Sequence, residues 1–258
     1  MSDNIKVKIT EDSPINVNVG VANKYINDHN LIYNLGSFYV DENTTGLKKI
    51  ILGDLPVLNK CDFNRNTTIE TIIMGDIPLL GDMREKVRYL SGLKIFIMGN
   101  LPKVSDCYGI AINNRSIEKV ELGNIPSGYR FQQAFAGCYS LKSVKIGDIS
   151  HSNTNQYMFQ NCTSLVDLTL GDFSGASNVT QMFSNCTALE NLTFTGSTCS
   201  ISFNLSYCSR LTHDSLMSVL NALPSIENSA TLTLGTINKN KLTLEEMEIA
   251  TNKGWQIA

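Results

Sequence analysis

Proline is scarce in this sequence of 258 residues, tryptophan occurs once, histidine three times, and charged residues make up only 17% of the chain. Six prolines leave no room for a proline-rich linker, and a hydrophobic content of 42% excludes a disordered chain, which lacks the apolar surface to offset its own ordering entropy. Neither sign of charge dominates. With 21 basic and 24 acidic residues the net charge is −3, so nucleic acid and anionic membrane surfaces find no electrostatic counterpart and neither is expected as a partner. No apolar run approaches the ~18 residues that a membrane-spanning helix needs. The opening Ser2-Asp3-Asn4-Ile5-Lys6-Val7-Lys8 has no apolar h-region, so no secretion signal is expected in it. Catalytic signatures are missing too: there is no P-loop, GxGxxG, HExxH, GxSxG or paired CxxC. His29, His151 and His213 share no common setting, which leaves no recurrent base beside a nucleophile. The expectation is a chain without catalytic residues, metal ligands or cofactor. Length alone, at roughly 150 residues per domain, does not separate one domain from two.

What the sequence does contain is a period. The stretches 47–55, 69–77, 93–101, 117–125, 141–149 and 165–173 align without gaps, each reading apolar-x-x-apolar-x-apolar-Gly-Asx-apolar. Their glycines, Gly53, Gly75, Gly99, Gly123, Gly147 and Gly171, follow at an interval of 22 and then of 24 residues, and a decayed copy continues in phase at 189–194. The middle of each copy alternates with the two-residue period of a strand that buries one face. The pairs Ile50 and Leu52, Ile72 and Met74, Val120 and Leu122, Val144 and Ile146, and Leu168 and Leu170 are therefore expected to point inward. The glycine is expected to let the backbone turn away, and the Asp or Asn after it to hold that turn. Stacked copies make a parallel sheet with strands ~4.8 Å apart.

The return half of the repeat carries a second signature, in Ala134-Phe135-Ala136-Gly137-Cys138, Met158-Phe159-Gln160-Asn161-Cys162 and Met182-Phe183-Ser184-Asn185-Cys186. Positions i, i+1 and i+4 fall toward one side of a single helical turn. Phe63, Val87 and Ala111 continue the Phe column toward the N-terminus, and Asn66, Leu90 and Asn114 continue the Cys column. Seven cysteines are an odd number, and stacked equivalents carry parallel Cα–Cβ vectors that disfavour disulfides, so Cys138, Cys162 and Cys186 read as packing thiols.

This combination resembles the BspA-like subfamily of leucine-rich repeats, whose units look like (M/A)FxxCxxLxx(I/L)x(I/L). Three copies match closely and about four more loosely, over roughly residues 46–211. The resemblance implies an α/β leucine-rich-repeat solenoid with a parallel sheet on one face, short helical turns on the other, and capped ends. It also implies an extracellular or cell-surface setting, with adhesion to a protein or glycan partner.

Both ends change character where caps belong. Residues 1–45 read as an N-terminal cap or attachment segment, 46–211 as the repeats, and 212–258 as a C-terminal irregular repeat and cap. The N-terminal stretches Ile5-Lys6-Val7-Lys8-Ile9 and Ile15-Asn16-Val17-Asn18-Val19 read as a strand pair and resemble the opening of some phage and prophage structural proteins. That likeness implies the alternative function, a structural component of a phage-like or other large assembly. After Leu211, apolar positions 216, 219, 220 and 223 have helical spacing up to Pro224, and 231–234 resumes the strand pattern. Thr243 with Glu246 forms a capping box for a helix near 244–252 that Gly254 stops, and Trp255-Gln256-Ile257 reads as a last strand that seals the stack.

The solvent side of the strands is legible by column. Five before each glycine stand Lys48, Glu70, Lys94, Glu118, Lys142, Val166 and Glu190, a sign alternation that favours the register across strands. Two before it stand Ile51, Ile73 and Ile97, then Glu121, Lys145, Thr169 and Thr193, with Ile95 beside Ile97. Contiguous apolar surface of this kind marks a contact. Ile51, Ile73, Ile95 and Ile97 are the candidate binding residues, for a protein partner or a second copy of the chain, unless the N-terminal segment folds over them.

Overall fold

A computed structural model of the chain describes residues 15–16, 24–26, 37–40, 47–63 and 65–258. Its strands are β1 (Ile15–Asn16), β2 (Lys24–Ile26), β3 (Ser37–Tyr39), β4 (Leu47–Ile51), β5 (Lys60–Asp62), β6 (Thr71–Met74), β7 (Ile95–Met98), β8 (Lys119–Leu122), β9 (Ser143–Ile146), β10 (Asp167–Leu170), β11 (Asn191–Phe194), β12 (Phe203–Asn204), β13 (Ala230–Thr233) and β14 (Trp255–Ile257). Helices α1 (His213–Ala222), α2 (Gly235–Lys239) and α3 (Leu244–Thr251) lie toward the C-terminus. The main sheet has 8 strands in the order β11-β10-β9-β8-β7-β6-β4-β2, every pair parallel. Ile50, Ile72, Phe96, Val120, Val144, Leu168 and Leu192 stand opposite one another across it, so each rung contributes equivalent residues to one interior. All seven are buried, whereas Ile51 and Glu121 keep part of their surface in water. The inward pairs read from the sequence are the inward pairs of the fold.

The glycine that ends each strand has a different physical reason from the expected one. Gly75, Gly99, Gly123, Gly147 and Gly171 all keep a backbone open to any residue. What they lack room for is a side chain: a Cβ on Gly123 would lie 2.6 Å from the carbonyl carbon of Gly99 and 2.8 Å from the amide nitrogen of Asn100. Real Cβ atoms do not approach so closely, and glycine is selected here by contact between rungs. That closeness also recasts the Asx column. Asp54 accepts the amide of Asp76 at 2.9 Å, Asp76 that of Asn100 at 2.7 Å, Asn100 that of Asn124 at 2.9 Å, and Asn124 that of Asp148 at 2.9 Å. Only the last two cap their own turns, Asp148 through Ser150 at 2.7 Å and Asp172 through Ser174 at 2.9 Å. In the earlier rungs the column is a tie between neighbours.

The opposite wall is built of turns that alternate between bonding themselves and bonding the next rung. Phe131, Gln133, Phe135 and Gly137 donate their amides to Thr154, Gln156, Met158 and Gln160, while Ala134, Ala136 and Cys138 donate back three residues within the turn. Gln133 and Gly137 adopt left-handed backbone angles, φ 56° and 71°, which aim successive peptide groups in opposite senses. Inside this wall Phe135, Phe159 and Phe183 stack with ring centroids 5.7 and 6.0 Å apart, worth about 0.5–1.5 kcal/mol per pair beyond their burial. The thiols of Cys138, Cys162 and Cys186 donate to the carbonyls of Ala111, Phe135 and Phe159 at 3.1, 3.2 and 3.1 Å. Asn114, one place earlier in the same column, does the same work with its amide, toward Val87 and Leu90 at 2.9 and 3.0 Å. The column calls for a compact buried side chain, which Leu90 fills without a donor and the cysteines fill with one. All seven cysteines are buried and free.

At the C-terminal end α1 lies where the strand after β11 belongs, with Thr212 as its N-cap. The stack then resumes as a small parallel sheet in the order β12-β13-β14. Thr243 and Glu246 form the reciprocal capping box of α3, and Gly254, at φ 90°, releases the chain into β14. Trp255 is buried, with its ring edge-on to Phe203 at 5.9 Å and its indole N–H on the carbonyl of Pro224 at 2.9 Å. At the N-terminal end β2 pairs with β4 and extends the main sheet. β1, β3 and β5 form a second parallel ladder, and single bridges Asp82–Asp106–Arg130–Thr154–Asn178 run between the later rungs. The stretch 5–9, the linker 11–14 and His29 lie outside the described residues; of 15–19, Ile15–Asn16 is described and pairs with β3.

Candidate binding face

The outward side of the main sheet presents two columns. Ile51 stands opposite Ile73, Ile73 opposite Ile97, and Ile97 opposite Glu121, while Thr71, itself buried, Ile95 and Lys119 align in the parallel column. The four candidate isoleucines therefore form one contiguous patch, each half-buried. The patch ends abruptly at β8, where Lys119 and Glu121, on the same strand, bridge at 2.8 Å. Beyond it Lys145, Thr169 and Thr193 continue the column as polar surface.

A charged margin runs beside the patch. Lys48 holds Glu70 at 2.7 Å and Lys142 holds Glu118 at 2.7 Å, with Lys94 between the two carboxylates; Glu190 pairs with Arg210. The hydrogen bond from Lys48 and its charge keep Glu70 below the usual carboxylate range, and Lys142 does the same for Glu118. Exposed pairs of this sort fix register more than they stabilise.

No group of three or more His, Cys, Asp or Glu with metal-holding geometry occurs among the described residues. His151 is exposed, and the ring of His213 lies between Glu246 at 2.8 Å and Asp214 at 3.7 Å. An open cavity of about 460 Å³ lies between the end of β11 and α1, lined by Thr195, Ser197, Ser218 and Asn221 among others. A smaller one of about 220 Å³ opens on the turn wall among Asp62, Arg65, Arg84, Glu85, Lys86 and Tyr89. Column reading along the strands misses this second cavity because it lies on the other wall. The available signal is the pair Asp62 and Lys86, charged residues in the column that later carries Met158 and Met182.

A coil of parallel rungs with a strand on one side, a hydrogen-bonded turn on the other and an aliphatic interior is a leucine-rich-repeat solenoid. The sequence model of the BspA type leucine rich repeat region matches it in 6 copies over residues 110–246, more than half of the chain, and the chain belongs to that family. The rungs from β4 to β7 precede that match and continue the same sheet without a break in register. No curated protein and no solved structure matches the chain.

Proposed function

We propose that this repeat protein is a non-enzymatic interaction module that binds through its exposed sheet, at the cell surface or outside it, with Ile51, Ile73, Ile95 and Ile97 at the centre of the contact. The observation that carries the reading is the change of surface along one column, β-branched from β4 to β7 and charged or hydroxylated from β8 onward. A purely structural sheet gains nothing from an apolar outer face in only half of its rungs, whereas a docking surface does. β-branched aliphatic surface suits protein side chains better than sugar hydroxyls, so of protein and glycan partners the patch favours protein. The family resemblance supports the surface setting. Among the described residues no helix is long and apolar enough to cross a membrane.

The division into an N-terminal segment 1–45, repeats 46–211 and a C-terminal irregular repeat and cap 212–258 goes with this proposal. The pairing of β2 with β4 and of β1 with β3 supports the cap reading of the N-terminal segment over its use as an attachment point in a larger assembly. The double substitution Ile73→Lys/Ile97→Lys tests the contact by sedimentation and by capture of surface and matrix proteins, with Thr169→Lys/Thr193→Lys as control. Loss of self-association or capture at unchanged melting temperature is expected. Unchanged association and capture with lowered stability would show that the stripe is covered by the protein itself.

A further inference from the structure

We propose that the turn wall of the first two repeats holds a second site, for a sulfate or phosphate group, formed by Arg65, Arg84 and Lys86 around Tyr89. Thirteen residues before the strand-closing glycine, later repeats place Ile110, Ala134, Met158 and Met182, all buried. Their counterparts in the first two repeats are Asp62 and Lys86, both half-buried. Where apolar side chains fill the wall later, the first two repeats open into the cleft of about 220 Å³.

The charges around that cleft are not balanced among themselves. Both of its carboxylates, Asp62 and Glu85, are already engaged, Glu85 by Arg88 at 2.7 Å. Arg84 reaches Asp82 and Asp106 only at 3.8 and 4.0 Å, beyond hydrogen-bond distance. Arg65 and Lys86 have no hydrogen-bond acceptor and no ion pair among the described residues. The Arg65 guanidinium lies over the Tyr89 ring at 4.6 Å, and that of Arg88 lies 4.9 Å from the same centroid. Stacking of this kind spends the face of the guanidinium on the ring and leaves its N–H edge for an oxyanion.

The next rungs show the same arrangement with its acceptor supplied by the chain. Arg130 lies over Tyr108 at 4.7 Å, and its fork grips Asp106 at 3.2 and 2.7 Å. In the cleft the stacked arginine has no such carboxylate among the described residues. An oxyanion offers the geometry that Arg recognises, and Lys86, which lines the same cleft, adds a point charge. The shared chemistry is a sulfate or phosphate group, arriving as a free ion or as an ester on a larger molecule such as a sulfated oligosaccharide.

The test is an amide and side-chain NMR titration of the full chain at low ionic strength with sodium sulfate, sodium phosphate and a sulfated heparin-type disaccharide. Saturable shifts at Arg65, Lys86 and Tyr89 are expected, weakened about tenfold or more by Lys86→Met and by Arg65→Gln. Lys86→Met installs the residue that the later repeats carry, so the fold is retained, and the melting temperature checks it. Arg115→Gln, which removes a cation stacked 5.6 Å from Tyr139 outside the cleft, leaves binding unchanged. Disaccharide affinity about tenfold above that of sulfate identifies an ester as the source, and equal affinity identifies the free ion. Absence of saturable shifts with all three probes, or equal weakening by Arg115→Gln and Lys86→Met, would overturn the site.

Discussion

The amide of Leu192 donates to the hydroxyl of Ser215 at 2.9 Å, and the same hydroxyl donates to the carbonyl of Glu190 at 2.9 Å. One side chain on α1 thus stands in for both halves of the peptide group that a further strand would offer β11. Ser218 repeats the device toward the amide of Phe194 at 3.1 Å. The edge that would template further pairing is closed by a helix with two hydroxyls at the right spacing. Replacing Ser215 and Ser218 by alanine strands two edge amides, and destabilisation of about 1–3 kcal/mol for each is expected by denaturant unfolding. Hydrogen exchange adds a local readout: the amides of Leu192 and Phe194 lose protection ahead of those in β9.

Close approach of the rungs makes glycine substitutions unequal. A Cβ on Gly123 meets backbone of the preceding rung within 2.8 Å, whereas one on Gly81 meets nothing within 4 Å. Gly123→Ala is expected to cost more than about 3 kcal/mol, because both neighbours are backbone and have no rotamer to yield. Gly81→Ala is expected to be neutral or to stabilise by up to about 1 kcal/mol through the unfolded chain. Equal melting temperatures for the two variants would contradict the close-packed coil.

One buried polar pair runs against the composition of its column. Asn155 is fully buried with its amide nitrogen unpartnered among the described residues, and its oxygen is bonded to the buried hydroxyl of Ser152. The neighbouring rungs place Cys107, Phe131 and Val179 in that column, all buried. Removing both polar groups together, as Ser152→Ala/Asn155→Val, is expected to raise stability by about 1–2 kcal/mol. Asn155→Val alone gains less, since it leaves the hydroxyl without its acceptor. Thermal and urea unfolding of the two variants distinguish these outcomes.

The link between α1 and α3 carries a pH dependence. The hydrogen bond and charge of Glu246 lift His213 above its ordinary 6.5, and Glu246 is held below 4.5 by the Thr243 amide first and by His213 second. Stability contributed through the raised histidine is full below 6.5 and is lost as pH rises through its folded value; that through the lowered carboxylate is present above 4.5 and is lost as pH falls through its own. The difference in melting temperature between the parent chain and His213→Gln is therefore expected to be largest between pH 4.5 and 6.5 and to shrink as pH rises through the raised histidine's own folded value. A difference independent of pH would show that the pair does not carry charge.

Much of this fold is legible in the residues. The inward pairs, the phase of the rungs, the helix before Pro224, the capping box at Thr243 and the last strand at Trp255 rest on periodicity, turn chemistry and burial, which act over a few residues. The isoleucine patch was legible for the same reason, since strand phase sets which side a residue faces. The acceptors of the Asx column, the alternating amides behind Phe135 and the cleft at Lys86 were not, because each depends on a partner one rung away whose distance no local pattern specifies.

The sequence by itself determined that this chain coils in one direction, since a repeated aliphatic pair with a two-residue period and a fixed interval has one way to share an interior. Only the tertiary structure decided why the glycines stand where they do, what closes the edge at β11, and where charge is left without a partner among the described residues. These are matters of contact between rungs, and contact distance is set by the packed coil as a whole.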